Sequence, residues 1–391
     1  MRVLMVSQGR TIADQPDFDA SFRRASSEGR KVEFINLPYV NIVDERGSDA
    51  LYAEIARINR EFRPDLIFFQ FFHKHTKQRM RSPVPCINEL KAASNHPLIF
   101  GSLGDPFNVG WRASLGTPAP RYTYELSSVA DAFFPTFMGD MRDCLIRHGA
   151  RNIVFVPHAF CPEHFRLATP TDDYTKEYDV VMLGSCCPRI APRIYWSLVR
   201  SYVRMKTVSV LTKHFGKRFG LFGNGWSCVS ARGRIPFKQQ IDIYRAARCS
   251  VDVPPQINDM YYLSDRPFFI AGGGTPLVMK MLPRLDTMFK DREHAYFAKR
   301  ISDFPKVCDE ILATPEDVLV ERRNATLELI RSRHMVDNRV DTIISVAEAL
   351  RKCRDGKISP ENAAKEIRLW HFLPEVDLNV ERKFAIANWV G

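Results

Sequence analysis

The amino-acid sequence predicts an α/β protein with two doubly wound parallel-sheet domains. Three observations carry this expectation. Short apolar runs alternate with longer amphipathic ones from the N-terminus to about residue 165, the pattern of βα units around a parallel sheet. The run LIFFQFF at 66–72 is apolar on both faces, as a strand covered by helices on either side must be. The same alternation then restarts after the polar segment LATPTDDYTKE at 167–177, which reads as a linker. A chain of 391 residues that is 45% hydrophobic is long enough for two such domains and can fill two cores.

In order along the chain, the short apolar runs predict strands at 2–7, 31–37, 65–71, 98–101, 132–136 and 152–156. The amphipathic stretches predict helices near 18–28, 49–61, 87–94 and 139–148. After the linker, strands are expected at 178–183, 219–222, 250–253 and 275–279, separated by helices near 193–212, 237–247 and 266–271. From 302 to 350 the pattern is helical with charged faces. A charged tail follows and ends in ERKFAIANWV, expected as a last helix docking on the core. The domain boundaries that follow are 1–170, 171–350 and a helical tail at 351–391.

No stretch reaches the roughly 18 apolar residues that a membrane helix needs, and MRVLMVSQGR turns polar soon enough to read as a first strand rather than a signal peptide. The nine cysteines are odd in number, scattered, and show neither C-x-x-C pairs nor a Cys/His ligand spacing, so reduced thiols in a cytoplasm are expected. The formal charge of +11 and pI near 9.2 favour an anionic partner: a nucleotide, DNA or an acidic membrane surface. A solvated basic face with no specific partner is the alternative.

In the second half, YDVVMLGS is followed by a basic helix, then FGLFGNGW, a short helix and CSVDVPP. LSDRPFFIAGGGTPLV comes next and RHMVDNRVDTIISV much later. This order and spacing resembles the C-terminal domain of GT-B glycosyltransferases, most closely the group that includes the spore-maturation protein CgeB. The similarity covers roughly residues 178–349. Over the first half it is one of architecture, with Gly104, Asp105 and Pro106 similar to an aspartate-proline turn of that group. The resemblance implies two Rossmann-like domains facing across a cleft, the first on the acceptor side and the second binding a nucleotide sugar. It implies sugar transfer with that donor as co-substrate, no further cofactor and no metal. The donor's nucleotide and the acceptor are left open.

In such a fold the donor lies at the carboxyl ends of the second domain's strands. Gly184 and Ser185 end the first of these, Arg189 and Arg193 follow, and by resemblance a donor phosphate is placed near all four. The alternative for the arginines is an exposed helix start. Gly223, Asn224 and Gly225 permit close backbone approach and precede Trp226, which either stacks on a base or is buried at a simple turn. Ser264 or Asp265 can cap the next helix, while Arg266 reaches phosphate or sugar. The resemblance places Gly272, Gly273 and Gly274 beside the donor; a helix C-cap is their other reading. Related enzymes carry a glutamate about three residues after this arginine, where it holds the donor ribose. Here the residue is Phe269, so ribose is held differently or donor binding has been lost.

Sugar transfer needs a stabilised leaving phosphate and a base for the acceptor hydroxyl. Asp105, at the end of LIFGSLGD, and His73, after LIFFQFF, are the candidate catalytic residues, with His75 behind them. A turn before Pro106 and ordinary loop histidines are the alternatives. The surrounding HKHTKQRMR is strongly basic and suits an anionic acceptor or a solvated loop. Asp17 and Asp19 form a D-x-D pattern, but they precede the first predicted helix, where acids meet the helix dipole, and a metal role is rejected. Two further readings stay open: a non-catalytic relative serving in structure or surface assembly, and a DNA-base glycosyltransferase of phage type. No DNA-binding module is recognisable in support of the latter.

Overall fold

The structure, a computed structural model, describes residues 1–14, 16–27, 32–72, 76–104, 119–186, 194–254 and 260–391. The chain forms two compact units. One comprises Met1–Pro157, Val336–Trp370 and Glu375–Gly391; the other comprises His158–Met335 and His371–Pro374.

The first unit begins β1 (Arg2–Ser7), α1 (Pro16–Ser27), β2 (Glu33–Pro38), α2 (Tyr39–Arg46), α3 (Ser48–Phe62) and β3 (Leu66–Gln70). It continues α4 (Val84–Ala92), β4 (Leu98–Leu103), α5 (Arg121–Val129), β5 (Ala132–Pro135), α6 (Asp140–Arg147) and β6 (Ile153–Val154). The second unit runs β7 (Tyr178–Leu183), α7 (Ile194–Phe215), β8 (Phe219–Phe222), β9 (Ala231–Gly233), α8 (Gln240–Arg245) and β10 (Ala247–Asp252). Then come α9 (Arg266–Gly272), β11 (Leu277–Lys280), β12 (Tyr296–Ala298), α10 (Phe304–Ala313) and α11 (Glu316–Arg333). The chain returns to the first unit with α12 (Val336–Arg354), α13 (Pro360–Glu366), α14 (Leu378–Ala385) and β13 (Ile386–Ala387).

The first sheet has the order β13-β6-β5-β4-β3-β1-β2 and is parallel except for β13, which runs antiparallel to β6. The tail therefore does more than dock a helix. After α14 it adds an edge strand, held by Phe155 N–H to Ala385 O (2.8 Å) and Asn152 N–H to Asn388 O (2.9 Å). Helix α12, expected from its charged pattern to close the second domain, packs instead in the first unit against α1. The physical reason is its burial: Val340, Ile343, Ile344, Ala347 and Leu350 are all under 5% exposed, and Asp337 pairs with Arg24 of α1 at 2.9 Å.

The second sheet, β12-β11-β10-β7-β8-β9, is parallel throughout. Side chains alternate across a strand. Val180 and Met182 of β7, Phe219 and Leu221 of β8, and Cys249 and Val251 of β10 thus share one face. There they pack with Val208, Leu211 and Phe215 of α7 and Val307 and Ile311 of α10. Ser250 and Asp252 point to the other face, toward α8 and α9. From β7 the chain moves outward through β8 to β9, then returns to lay β10 on the opposite side of β7. The carboxyl ends of β7 and β10 thus form the topological switch point, where an open α/β sheet leaves a crevice for a ligand.

Candidate functional site at the switch point of the second sheet

Three strand ends converge here. Past β7, Gly184 N–H donates to Phe222 O at 2.8 Å and Cys186 N–H to Asn224 O at 2.8 Å, so the segment after β7 runs beside the segment after β8. The Ser185 hydroxyl accepts from Asn224 N–H at 3.1 Å. This side-by-side course demands glycine. Gly223 has φ +139°, and a Cβ there would lie 2.5 Å from Gly184 O; Gly225 has φ +81°, and its Cβ would lie 2.9 Å from Cys186 O. Trp226, whose role the sequence leaves open, is half-buried. Its ring packs on the α7 side of the core and its indole N–H donates to Gly184 O at 2.7 Å.

Arg204 of α7 lies on one side of these strand ends. Its guanidinium donates to Ser185 O (2.9 Å) and Val253 O (3.2 Å), strapping the end of β7 to the end of β10. On the other side Asp252, 2% exposed, accepts from Arg266 Nε at 2.9 Å, and the arginine side chain keeps 23% of its surface exposed. Burial works against the Arg266 charge, but Asp252 and then Asp265 outweigh it and raise the guanidinium above its ordinary value. Tyr244, fully buried on α8, lies close enough to feel both charges, and burial pushes its phenol well up. Its hydroxyl and the Ser250 hydroxyl have no partner among the described residues. Asp265 occupies the N-cap of α9, but neither its side chain nor that of Ser264 makes a capping bond.

The sequence motifs do not single out Arg204, Asp252 and Tyr244 as site residues. The signals were present. Arg204 lies on the core-facing stripe of α7 with Val208 and Leu211, four and seven residues on, and Asp252 is a lone acid in the apolar run CSVDVPP. A buried acid requires a cation.

Gly272, Gly273 and Gly274 do not join this group. Helix α9 starts at the carboxyl edge of the sheet and ends at the amino edge, where Thr275 Oγ1 donates to Tyr244 O just before β10 begins. The glycines serve packing and chain reversal: a Cβ on Gly272 would overlap the Phe160 ring, and Gly274 has φ +77°. Arg189 and Arg193, like Asp105 and His73 in the first unit, lie outside the described residues. Asp17 and Asp19 fall in the first turn of α1, where Asp19 pairs with Arg23 at 2.7 Å.

Phe269, one turn beyond Arg266, is 3% exposed. Its ring meets Phe165 at 4.8 Å and Phe237 at 5.9 Å between centroids, and Phe237 also meets His164 at 5.1 Å. A carboxylate at this position would be buried among rings. Phe269→Glu is accordingly expected to destabilise the protein by about 3–5 kcal/mol or more, the cost of emptying a buried phenylalanine site plus that of an unpaired charge. Urea unfolding measures this.

A family model described as glycosyl transferase-like matches residues 204–345, a stretch that includes Arg204, Asp252 and Arg266. No curated protein matches the chain. Among solved structures, the trehalose-6-phosphate synthase of Burkholderia multivorans superposes with TM-score 0.55 at 11% identity, covering 90% of this chain and 99% of its own. An E. coli trehalose-6-phosphate protein bound with UDP-2-fluoro glucose gives 0.53 at 10% identity (89% and 99%). The sucrose-phosphate synthase of Thermosynechococcus elongatus gives 0.51 at 11% (91% and 100%). At these identities the likeness is one of fold. The chain has the GT-B fold, with two Rossmann-like parallel-sheet units.

Proposed function

We propose that the protein is a glycosyltransferase that moves a sugar from a nucleotide-sugar donor to an acceptor, and that the donor binds at the carboxyl edge of the second sheet. The observation that carries this reading is the convergence of three strand ends on a switch point flanked by Arg204 and the Asp252–Arg266 pair, within the stretch matched by the glycosyl transferase-like family. The diphosphate is assigned to the backbone at Gly184, Ser185, Gly223, Asn224 and Gly225, with Asp265 and Arg266 flanking it. Arg266 is held protonated by Asp252, which makes it a fixed positive charge for a departing phosphate. Arg189 and Arg193 belong to the same proposal, as do Asp105 and His73 as base candidates for the acceptor hydroxyl. A CgeB-like subtype, metal-independent hexosyl transfer and a cytoplasmic setting complete it; the cysteines among the described residues, free and mostly buried, support the last.

A thermal-shift screen against UDP, GDP, ADP, CMP, dTDP and their common sugars tests the reading. Selective stabilisation by one nucleotide is expected. In Arg204→Met, which leaves the strap unmade, donor affinity should fall about tenfold, on the scale of one charge-assisted hydrogen-bond pair. Stabilisation by none of the compounds would sink the proposal. The non-catalytic reading draws on one observation, the aromatic surroundings of Phe269; release of nucleoside diphosphate from a donor, even slowly, excludes it.

A further inference from the structure

The basic segment HKHTKQRMR finds a place in the first unit. Its described part, 76–81, forms one wall of a cavity of 730 Å³ whose other wall is the start of α5. Helices α4 and α5 both begin on the carboxyl side of their sheet, so the cavity opens on the edge where ligands of α/β sheets bind. Three guanidinium groups ring it. Arg81 spends one N–H on Asp49 (2.6 Å), and Arg121 gives its Nε to Glu125 (2.7 Å). Arg79 is exposed and has no partner among the described residues. The remaining lining includes the apolar Met80, Tyr122 and Pro120, the first two under 10% exposed, beside the polar Thr76, Gln78 and Ser82.

The wall is pinned in place. Lys77 N–H donates to Asp44 Oδ1 at 2.6 Å, and Arg81 N–H donates to Ser48 Oγ at 3.2 Å. The Tyr52 hydroxyl donates to Arg81 O at 2.7 Å. The Lys77 backbone N–H, with Arg10 behind it, holds the Asp44 carboxyl below its ordinary range. Arg79 and Arg81 are thus carried on a pre-organised segment, which lowers the ordering cost of binding.

We propose that this cavity is the acceptor site and that it takes a sugar bearing a single anionic group, a phosphate or a carboxylate. The volume lies within the range of small-molecule sites and is concave, which suits a mono- or disaccharide better than a polymer surface. The apolar lining residues Met80, Tyr122 and Pro120 suit the C–H face of a pyranose, and planar guanidinium forks match the two oxygens of a carboxylate or phosphate. The inference rests on the glycosyltransferase reading for the word acceptor, but the binding it predicts does not.

Isothermal titration of the full chain with glucose 6-phosphate, glucuronate and glucose separates the possibilities, without any donor present. Glucose 6-phosphate or glucuronate should bind at least tenfold more tightly than glucose, and whichever is preferred names the anion. In Arg79→Gln/Arg121→Gln that preference should vanish while affinity for the stabilising nucleotide is unchanged. Arg79→Gln alone, at an exposed residue with no partner among the described residues, leaves the fold intact and should weaken the anionic sugar about threefold or more. Equal affinity for charged and neutral sugars, or anion binding untouched by both variants, would overturn the inference while leaving donor binding standing. Loss of donor binding in the unmodified protein would instead count against the glycosyltransferase reading.

Discussion

Arg266→Ala is expected to lower the stability of the protein by about 3–5 kcal/mol and to remove donor binding, two effects that a second substitution separates. Asp252 is 2% exposed and its partner is Arg266, so truncating the arginine leaves a carboxylate buried beside a fully buried tyrosine. Taking away one member of such a pair costs more than the pair contributes, because the survivor keeps its desolvation penalty. Adding Asp252→Asn removes that charge, and most of the lost stability should return. Donor affinity should not return if the guanidinium itself meets the diphosphate. Chemical denaturation and nucleotide titration of the two variants give both quantities. Recovery of binding together with stability would mean that Arg266 acts only through the fold.

The second large effect is expected at Gly223. An alanine there must hold φ near +139° and place its Cβ against the backbone of Gly184 and Ser185, at 2.5–2.9 Å. No side chain can rotate out of the way, so the segments after β7 and β8 must part, at a cost of about 2–4 kcal/mol. Because the hydrogen bonds Gly184 to Phe222 and Cys186 to Asn224 hold those segments together, donor affinity should drop at least tenfold. Gly272→Ala is the control. It meets the Phe160 ring instead and should cost about 1–3 kcal/mol, yet leave donor affinity unchanged, because it lies at the other edge of the sheet.

Legibility in the sequence followed burial. The strands β1, β3, β4, β7, β8 and β10 are short apolar runs between polar ones, and their positions could be read directly. The three-residue edge strands β9 and β12 carry no periodicity, and ARG at 231–233 resembles any turn. The return of α12 to the first unit was invisible for a different reason. Helical pattern reports which face is buried but not against what, and the partner α1 lies more than 300 residues earlier, as the Arg24–Asp337 separation of 313 shows.

The site shows the same division. Glycines that end strands are recognisable because few residues tolerate such turns, and Gly184, Gly223 and Gly225 do meet at one edge. Gly272, Gly273 and Gly274 have the same composition but sit at the far end of a seven-residue helix. Only the helix direction distinguishes them. Arg204 was hidden because an arginine in a basic helix reads as surface until its register with Val208 and Leu211 is counted.

Hydrogen exchange with and without the nucleotide sugar tests the central claim most directly. Slowed exchange is expected at the amides of 184–186 and 223–226 and around Asp265 and Arg266, with none at 272–275. Protection confined to the amino edge of the second sheet, or absent from the second unit altogether while the compound binds, would contradict a donor site at the switch point.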